Sequence, residues 1–420
     1  MVNQATREFI RKHAEDDVRQ LALRGCKDPE VDLPLALSQI GGRQKAREKL
    51  PSWAATDGIV YPPHLSMEQC SSEQTARYKA GIAGKGRLMA DLTGGFGVDF
   101  ALMAPAFERA VYVERNSQLC AISSENFVTL GLSNVEVVCG DGTEYLHSIS
   151  RADLIFIDPA RRDDHGARTY GIADCTPNVL ELMDELTQKA DRLLIKLSPM
   201  LDWRKAMADV GHVAEVHIVS VDNECKELLV LVEGGMRNEE GGTRKEEGGM
   251  TRVFCVNLLS DGSAQRFEFD ASAHLPSNHS SFLVPRSSFL VTPSSSPLPP
   301  ASFLFEPNAS VMKAGCFGLL EQRFGASQLE ANSHLFVSDR DVPDFPGRRF
   351  IIEHTTSLNK RQLKAALGGI DRANIAVRNF PLTAEQLRRK LKLNDGGDTY
   401  IFATTVRGDA HQLFICRKIG

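Results

Sequence analysis

Asp91-Leu92-Thr93-Gly94-Gly95-Phe96-Gly97-Val98-Asp99 is the stretch on which the reading of this chain turns. The apolar run Arg87 to Asp91 before it predicts a short strand, and Val98 to Pro105 after it predicts a helix. Glycines in such a strand-to-helix turn let the backbone approach a ligand closely. A dinucleotide fingerprint would need a third glycine, where this chain has Phe100. It would also bring a pyrophosphate to the helix start. Asp91 and Asp99 would repel that charge, so the loop suits a cationic ligand better, by Coulomb's law in a partly desolvated cleft.

Outward from this loop, strands and helices alternate. Strands are predicted at Ala110 to Val113, Val135 to Cys139, Leu154 to Ile157, Leu193 to Leu197, Val213 to Val221 and Leu228 to Val232. Helices are predicted at Ser117 to Leu130, from Thr143, at Pro177 to Ala190 with proline in the first turn, and at Asp202 to Val210. Alternation of this kind implies a Rossmann-like α/β domain over residues 85–235, a parallel sheet with helices on both faces. Ligands of such sheets bind beyond the carboxyl ends of the strands. Asp91, Glu114 and Asp141 end successive strands there. Glu114 can accept from both ribose hydroxyls and Asp141 from an adenine amino group. S-adenosyl-L-methionine has both features, lacks phosphate and carries cationic sulfonium and ammonium groups. The candidate cofactor residues are Asp91, Thr93, Gly94, Gly95, Gly97, Glu114, Arg115, Asp141 and Gly142. The competing reading makes each acid a helix cap.

The substrate side is expected at Asp158-Pro159-Ala160-Arg161-Arg162, after the fourth strand. Amino-directed methyltransferases carry Asp or Asn, two prolines and an aromatic residue at this place. Here Ala160 replaces the second proline and Arg161 the aromatic residue. Asp158 is the candidate for orienting substrate, with Pro159 and Lys196 completing the catalytic set; a turn residue after a buried strand is the alternative for Asp158. Arg161, Arg162 and Arg168 can bind phosphate or form surface ion pairs. Lys196-Leu197-Ser198-Pro199 follows the fifth strand and either lines the same cleft or makes a helix-capping turn. Cys175 lacks a neighbour that would activate a thiolate, so it is read as structural, and His165 as solvated.

Beyond this domain, residues 1–84 read as a helical region, with one helix over Met67 to Lys79. Residues 236–300 read as a hairpin, a low-complexity tract and a linker. Gly234 to Glu240 nearly repeats as Gly241 to Glu247, and Ser280 to Val284 echoes in Ser287 to Val291. The first repeat reads as a hairpin tip and Val291 to Pro300 as a Pro/Ser linker. Val253 to Leu258 and Gln265 to Phe269 flank Asp261-Gly262, a hairpin signal. Strands are expected at Phe303 to Phe305, Leu335 to Val337 and Phe350 to Ile352. Helices follow at Lys360 to Leu367 and Ala384 to Leu391, then a strand pair at Tyr400 to Val406 and Gln412 to Arg417.

With 420 residues the chain holds several domains. No apolar run approaches the length of a membrane span, and the charged N-terminal stretch lacks the core of a secretion signal. The nine cysteines lie singly, without a C-x-x-C pair. A reducing, cytoplasmic setting with no metal site is therefore expected. The net charge of −5 is unevenly spread: from Arg348 onward 14 Lys/Arg face 6 Asp/Glu, a surplus of 8. Such asymmetry suggests a polyanionic partner, or a solvated helix face.

Taken together, these pieces resemble the bacterial class I S-adenosylmethionine-dependent methyltransferases that carry a ferredoxin-like segment and a THUMP-like C-terminal domain. The carriers are Glu68-Gln69-Cys70-Ser71-Ser72-Glu73 with Tyr78-Lys79, Asp91 to Asp99, Asp158 to Arg162, and Lys196 to Pro199. Further carriers are Glu306-Pro307-Asn308-Ala309 with Lys313-Ala314-Gly315, and Phe345-Pro346-Gly347-Arg348. The resemblance implies a Rossmann-like methyltransferase domain with a helical N-terminal region and a small α+β C-terminal region. It divides the latter into a ferredoxin-like segment, 301–347, and a basic THUMP-like domain, 348–420. It implies S-adenosyl-L-methionine as cofactor, held by Asp91, Gly95, Gly97, Glu114 and Asp141. By analogy with THUMP domains it implies structured RNA as partner; the basic residues read as its candidate contacts are Arg161, Arg162, Arg388, Arg389 and Lys392. Methylation of a protein or small molecule, and RNA binding without catalysis, are the alternative functions.

Overall fold

The computed structural model describes residues 3–161, 171–234, 250–274, 302–406 and 410–419. Its contacts divide the chain into two units: Met1–Val221 with Lys226–Arg252, and Asp222–Cys225 with Val253–Gly420. The tract at 235–249, the Ser280 to Val291 echo, the Val291 to Pro300 linker, His165, Arg168 and Arg162 lie outside the described residues.

In the first unit, helices open where a side chain can accept from a free backbone N–H. Asn3, Asp17 and Asp32 do so before Gln4–Lys12, Val18–Arg24 and Leu33–Lys49. The single helix expected over Met67 to Lys79 is two, His64–Gln69 and Glu73–Ala83. Ser72 is extended, and its hydroxyl accepts from the Thr75 amide at 3.3 Å, which starts a new helix.

Among the described residues the strands of its main sheet follow: β1 Gly86–Asp91, β2 Phe107–Glu114, β3 Val135–Cys139, β4 Ala152–Ile157, β5 Ala190–Leu197, β6 Val213–Val221 and β7 Glu224–Glu233. Within this unit the order is β6-β7-β5-β4-β1-β2-β3. The pairs β1–β2, β1–β4, β2–β3 and β4–β5 are parallel, and β7 runs antiparallel to β5. The expectation of an all-parallel sheet is corrected at this end. A run buried on both faces, such as Leu228–Val232, carries no mark of its direction. The helix expected from Pro177 begins instead at Val179, capped by Asn178, whose side chain accepts from the Leu180 amide at 3.2 Å. Strand order reverses at β1, with β2 on one side and β4 on the other. That places the switch point, where open α/β sheets bind ligands, at the carboxyl ends of β1 and β4.

In the second unit, strands Arg252–Leu258 and Ala264–Asp270 form the expected hairpin. Gly262 makes its turn at φ +85°. Strands Phe303–Pro307, Ser327–Gln328, Phe336–Ser338, Gly347–Thr356, Asn374–Arg378, Thr399–Val406 and Ala410–Ile419 build one seven-stranded sheet. Phe303–Pro307 pairs directly with Gly347–Thr356, so the sheet runs through position 347 without interruption. Its two faces carry separate apolar clusters, one around Phe350, Phe402 and Phe414, the other around Leu387, Ile401 and Leu413. Helices Ala309–Ala314 and Phe317–Phe324 and the strand Asn374–Arg378 were not anticipated. Among the described residues no helix is long and apolar enough to cross a membrane, and no group of His, Cys, Asp or Glu converges to hold a metal ion.

Candidate active site at the carboxyl edge of the sheet

Asp91 closes β1, where it pairs with Tyr112 of β2 and Phe156 of β4. Its carboxylate is 1 % exposed and accepts from the Thr93 amide at 2.9 Å. The Thr93 hydroxyl in turn accepts from the Asp158 amide at 2.6 Å, tying the first and fourth strand ends together. The Gly94 amide donates to the Val113 carbonyl at 2.9 Å. The Gly95 amide donates to Glu114 Oε2 at 2.8 Å, and Asn116 donates to Glu114 Oε1 at 2.7 Å. Glu114 thus shapes the glycine turn from the end of β2, each oxygen keeping a second lone pair for a ligand. Gly97 takes the left-handed conformation at φ +79° before the helix Val98–Met103. Arg115 is exposed.

Asp141 does serve as a helix cap, accepting from Thr143 at 2.8 Å and Glu144 at 3.3 Å through one oxygen. Its Oδ2 takes no part in these two bonds, so capping and ligand contact are compatible. Gly142 is dictated by packing, since a Cβ there would stand 2.0 Å from the Leu92 carbonyl oxygen.

Burial pushes the Asp91 carboxyl well above the ordinary carboxylate range, opposed by the Thr93 amide and aided by Asp99 and Asp158. The native state therefore holds this proton more tightly than the unfolded chain does. The group's contribution to stability is complete below the unfolded value and declines as pH rises through the window up to the folded value. Asp91→Asn keeps an acceptor for Thr93 and removes the titrating group. Its stability relative to wild type should rise as pH climbs above the ordinary carboxylate range, read from urea unfolding of the ligand-free protein. A constant or shrinking difference would contradict a raised Asp91.

Beside this cradle lies a buried group of charges that sequence reasoning did not assemble. Lys79 has no exposed side-chain surface. Its ammonium donates to both oxygens of Glu227 at 2.7 and 2.6 Å, and stands 3.2 Å from Asp99 Oδ1. Asp99 also accepts from the Ser71 hydroxyl at 2.7 Å. Lys196, at the end of β5, pairs with Asp158 and lies 3.8 Å from Asp99. Burial works against the Lys196 charge, but the carboxylates of Asp158, Asp99 and Glu227 outweigh it and hold the ammonium above the ordinary lysine range. Burial likewise raises Glu227, offset by Lys79 and Lys196. Signals existed: Lys79, Ser71 and Asp99 each lie in a motif singled out above, whereas Glu227, within β7, lies in none.

Pro159 is buried behind Asp158. Ala160–Arg161 forms a two-residue ribbon with Cys175–Thr176, and Cys175 is buried, as its structural reading requires. In the second unit, Arg388 pairs with Asp395 and Arg389 with Glu385. Lys392 ends its helix in the left-handed conformation at φ +58°. Two of the three side chains expected to meet RNA there are engaged by neighbouring carboxylates.

A family model for a THUMP domain-like segment matches residues 347–418, and one for a ferredoxin-like domain matches 303–346. A model for protein-L-isoaspartate (D-aspartate) O-methyltransferase matches residues 83–163. An uncharacterized S-adenosylmethionine-dependent methyltransferase of Mycobacterium tuberculosis is 22 % identical over 344 residues, 81 % of this chain and 83 % of that protein. The crystal structure of a Porphyromonas gingivalis W83 protein assigned as a methyltransferase is 30 % identical, covers 100 % of both chains and superposes with a TM-score of 0.81. The likeness runs the whole length of both chains, and the chain belongs to the class I S-adenosylmethionine-dependent methyltransferases that carry a ferredoxin-like segment and a THUMP-like C-terminal domain.

Proposed function

We propose that this methyltransferase acts on structured RNA. The observation that carries the reading is the match of residues 347–418 to a THUMP-like model, in a segment whose basic residues exceed its acids by 8 from Arg348 onward. A net positive surface raises the local concentration of a polyanion and speeds its encounter. The match to a protein-directed methyltransferase covers residues 83–163, the cofactor loop and the Asp158 to Arg162 turn, and does not reach the C-terminal region.

The cofactor fits the cradle. A Cβ on Gly95 would find only the Thr93 carbonyl oxygen, 3.8 Å away, so the space before this turn is open to a ligand. Glu114 and Asp141 supply carboxylate acceptors and Asp91 its buried carboxyl group around it, with Thr93, Gly94, Gly95, Gly97, Arg115 and Gly142 forming the surrounding wall. When bound, S-adenosylmethionine supplies an electrophilic methyl group. The chain's own contribution is to bring a nucleophile into line with it. Asp158 accepts a hydrogen from the substrate N–H or O–H, which directs a lone pair toward the methyl. Lys196 fixes the Asp158 carboxylate by donating to one of its oxygens. Pro159 stiffens the turn that carries Asp158, and Arg161 and Arg162 hold substrate phosphate.

The test is transfer of labelled methyl from S-adenosylmethionine to RNA isolated from a strain lacking this gene. Label should enter the RNA fraction. Asp158→Asn should lower kcat by about 100-fold or more, within the range usual for a positioned proton acceptor, with cofactor affinity unchanged. Label confined to protein or small molecules would overturn the RNA assignment.

A further inference from the structure

The second unit contains a basic cleft outside the THUMP-like segment. It has a volume of about 530 Å³ and is lined by Arg266, Phe267, Arg323, Phe324, Arg340 and Asp341, with Val342 to Asp344 along its rim. Three elements build it. The hairpin strand Ala264–Asp270 brings Arg266 and Phe267, the helix Phe317–Phe324 brings Arg323 and Phe324, and the turn after Phe336–Ser338 brings Arg340. The phenyl rings of Phe267 and Phe324 meet at 6.0 Å between centroids and form an apolar floor. Arg323 lies across that floor, its guanidinium carbon 5.4 Å from the Phe267 centroid, and donates to the Glu268 carbonyl at 3.3 Å. Gly325 ends the helix at φ +65°, and a Cβ there would come within 3.4 Å of the Arg340 guanidinium.

These arginines lack counter-charge, as Arg361 and Arg372 of the same unit also do among the described residues, but they alone converge on one cleft. Arg348 and Arg378 pair with Glu306, Arg349 with Asp341, Arg388 with Asp395, Arg389 with Glu385 and Arg417 with Glu353. Among the described residues, Arg266, Arg323 and Arg340 form no ion pair. Arg349 engages both oxygens of Asp341 at 2.7 and 2.6 Å, which offsets that acid's charge. Asp344 is then the wall's one carboxylate without a cation partner among the described residues, set against three guanidiniums. Like charges gathered this way repel one another, and phosphates between them relieve that repulsion with bidentate hydrogen bonds.

We propose that this cleft binds the phosphate backbone of the RNA substrate, as a second contact separate from the THUMP-like segment. The inference rests on the RNA reading above. The breadth of the cleft and the spread of its arginines over three elements suit successive phosphates of a strand rather than one ion.

The test is filter binding of end-labelled small RNA, from a strain lacking this gene, to the full-length protein at 50 to 200 mM KCl. Each phosphate contact contributes roughly 0.7 to 0.9 to the slope of log affinity against log salt, so the triple variant R266Q/R323Q/R340Q should lose about 2 from that slope. Its affinity at 100 mM salt should fall by about tenfold or more, while cofactor binding and melting temperature stay at wild-type values. The triple lysine variant, which keeps the charges, should retain most of the slope. Competition by millimolar inorganic phosphate that abolishes RNA binding would point to a single-ion site and overturn the strand proposal. If wild type binds and methylates RNA and the glutamine variant matches it in slope and affinity, this inference falls and the RNA reading stands. If wild type neither retains nor methylates RNA, both fall.

Discussion

Lys79→Met should destabilise the first unit by about 3–5 kcal/mol, the usual loss when one partner of a buried ion pair is removed. The ammonium has no exposed surface, and Glu227 receives two of its hydrogen bonds. Methionine matches the stem of lysine, so packing changes little. What remains is a Glu227 carboxylate in an apolar surround, with Asp99 beside it and only Lys196 to offset the pair. The double variant Lys79→Met/Glu227→Gln removes the stranded charge as well. It should recover most of the loss and stand within about 1–2 kcal/mol of wild type, because neutral replacement of a buried pair is often close to neutral in stability. The readout is specific to the unit: both tryptophans of the chain, Trp53 and Trp203, are buried within it. Urea unfolding followed by their fluorescence reports the change directly. A loss below about 1 kcal/mol in the single variant, or no recovery in the double, would mean that the pair does not hold this unit together.

That cluster also marks where sequence reading stops. Asp91 and Glu114 were legible because a local pattern carries them: an apolar run, an acid at its end, then a turn. Lys79 and Glu227 are 148 positions apart, and neither sits in a pattern that names the other. They meet only because the tertiary fold packs the helix Glu73–Ala83 against the strand Glu224–Glu233. The same limit explains Glu306. Its motif and that of Arg348 were each visible as short strings, but their ion pair comes from antiparallel register, Glu306 opposite Arg348. The break at Ser71-Ser72 was different. A serine followed by helix-forming residues is a local capping signal, and it was overridden by the apolar spacing on either side. The hairpin at Asp261-Gly262 and the closing strand pair were readable because turn chemistry and alternation agree there. Direction and partnership of buried strands were not, because hydrophobic runs alone do not encode them.

Gly94→Ala and Gly95→Ala should both weaken cofactor binding strongly, for opposite physical reasons. A Cβ on Gly94 would lie 2.2 Å from Cε2 of Tyr112, inside the ring's own volume. Tyr112 cannot yield. It is fully buried, its hydroxyl donates to the Gly95 carbonyl and stands 3.1 Å from Ser123 Oγ, and its ring packs against Phe100 and Phe127. Overpacking of this kind costs about 1–3 kcal/mol or more, and it should appear as a lowered melting temperature. Gly95 differs. Its added methyl would meet nothing closer than the Thr93 carbonyl oxygen at 3.8 Å, although its φ of +58° imposes strain. That left-handed conformation costs an alanine about 1–2 kcal/mol. The methyl would stand in the open space that the carboxyl groups of Asp91, Glu114 and Asp141 surround, where a ligand backbone must approach closely. Gly95→Ala should therefore melt closer to wild type than Gly94→Ala while losing S-adenosylmethionine affinity by about 100-fold, roughly the 2.7 kcal/mol that such a ratio represents. Calorimetric titration beside a thermal melt separates the two. Wild-type affinity in Gly95→Ala would place the cofactor away from the Asp91–Asp99 turn and remove the central residue of the assigned cradle.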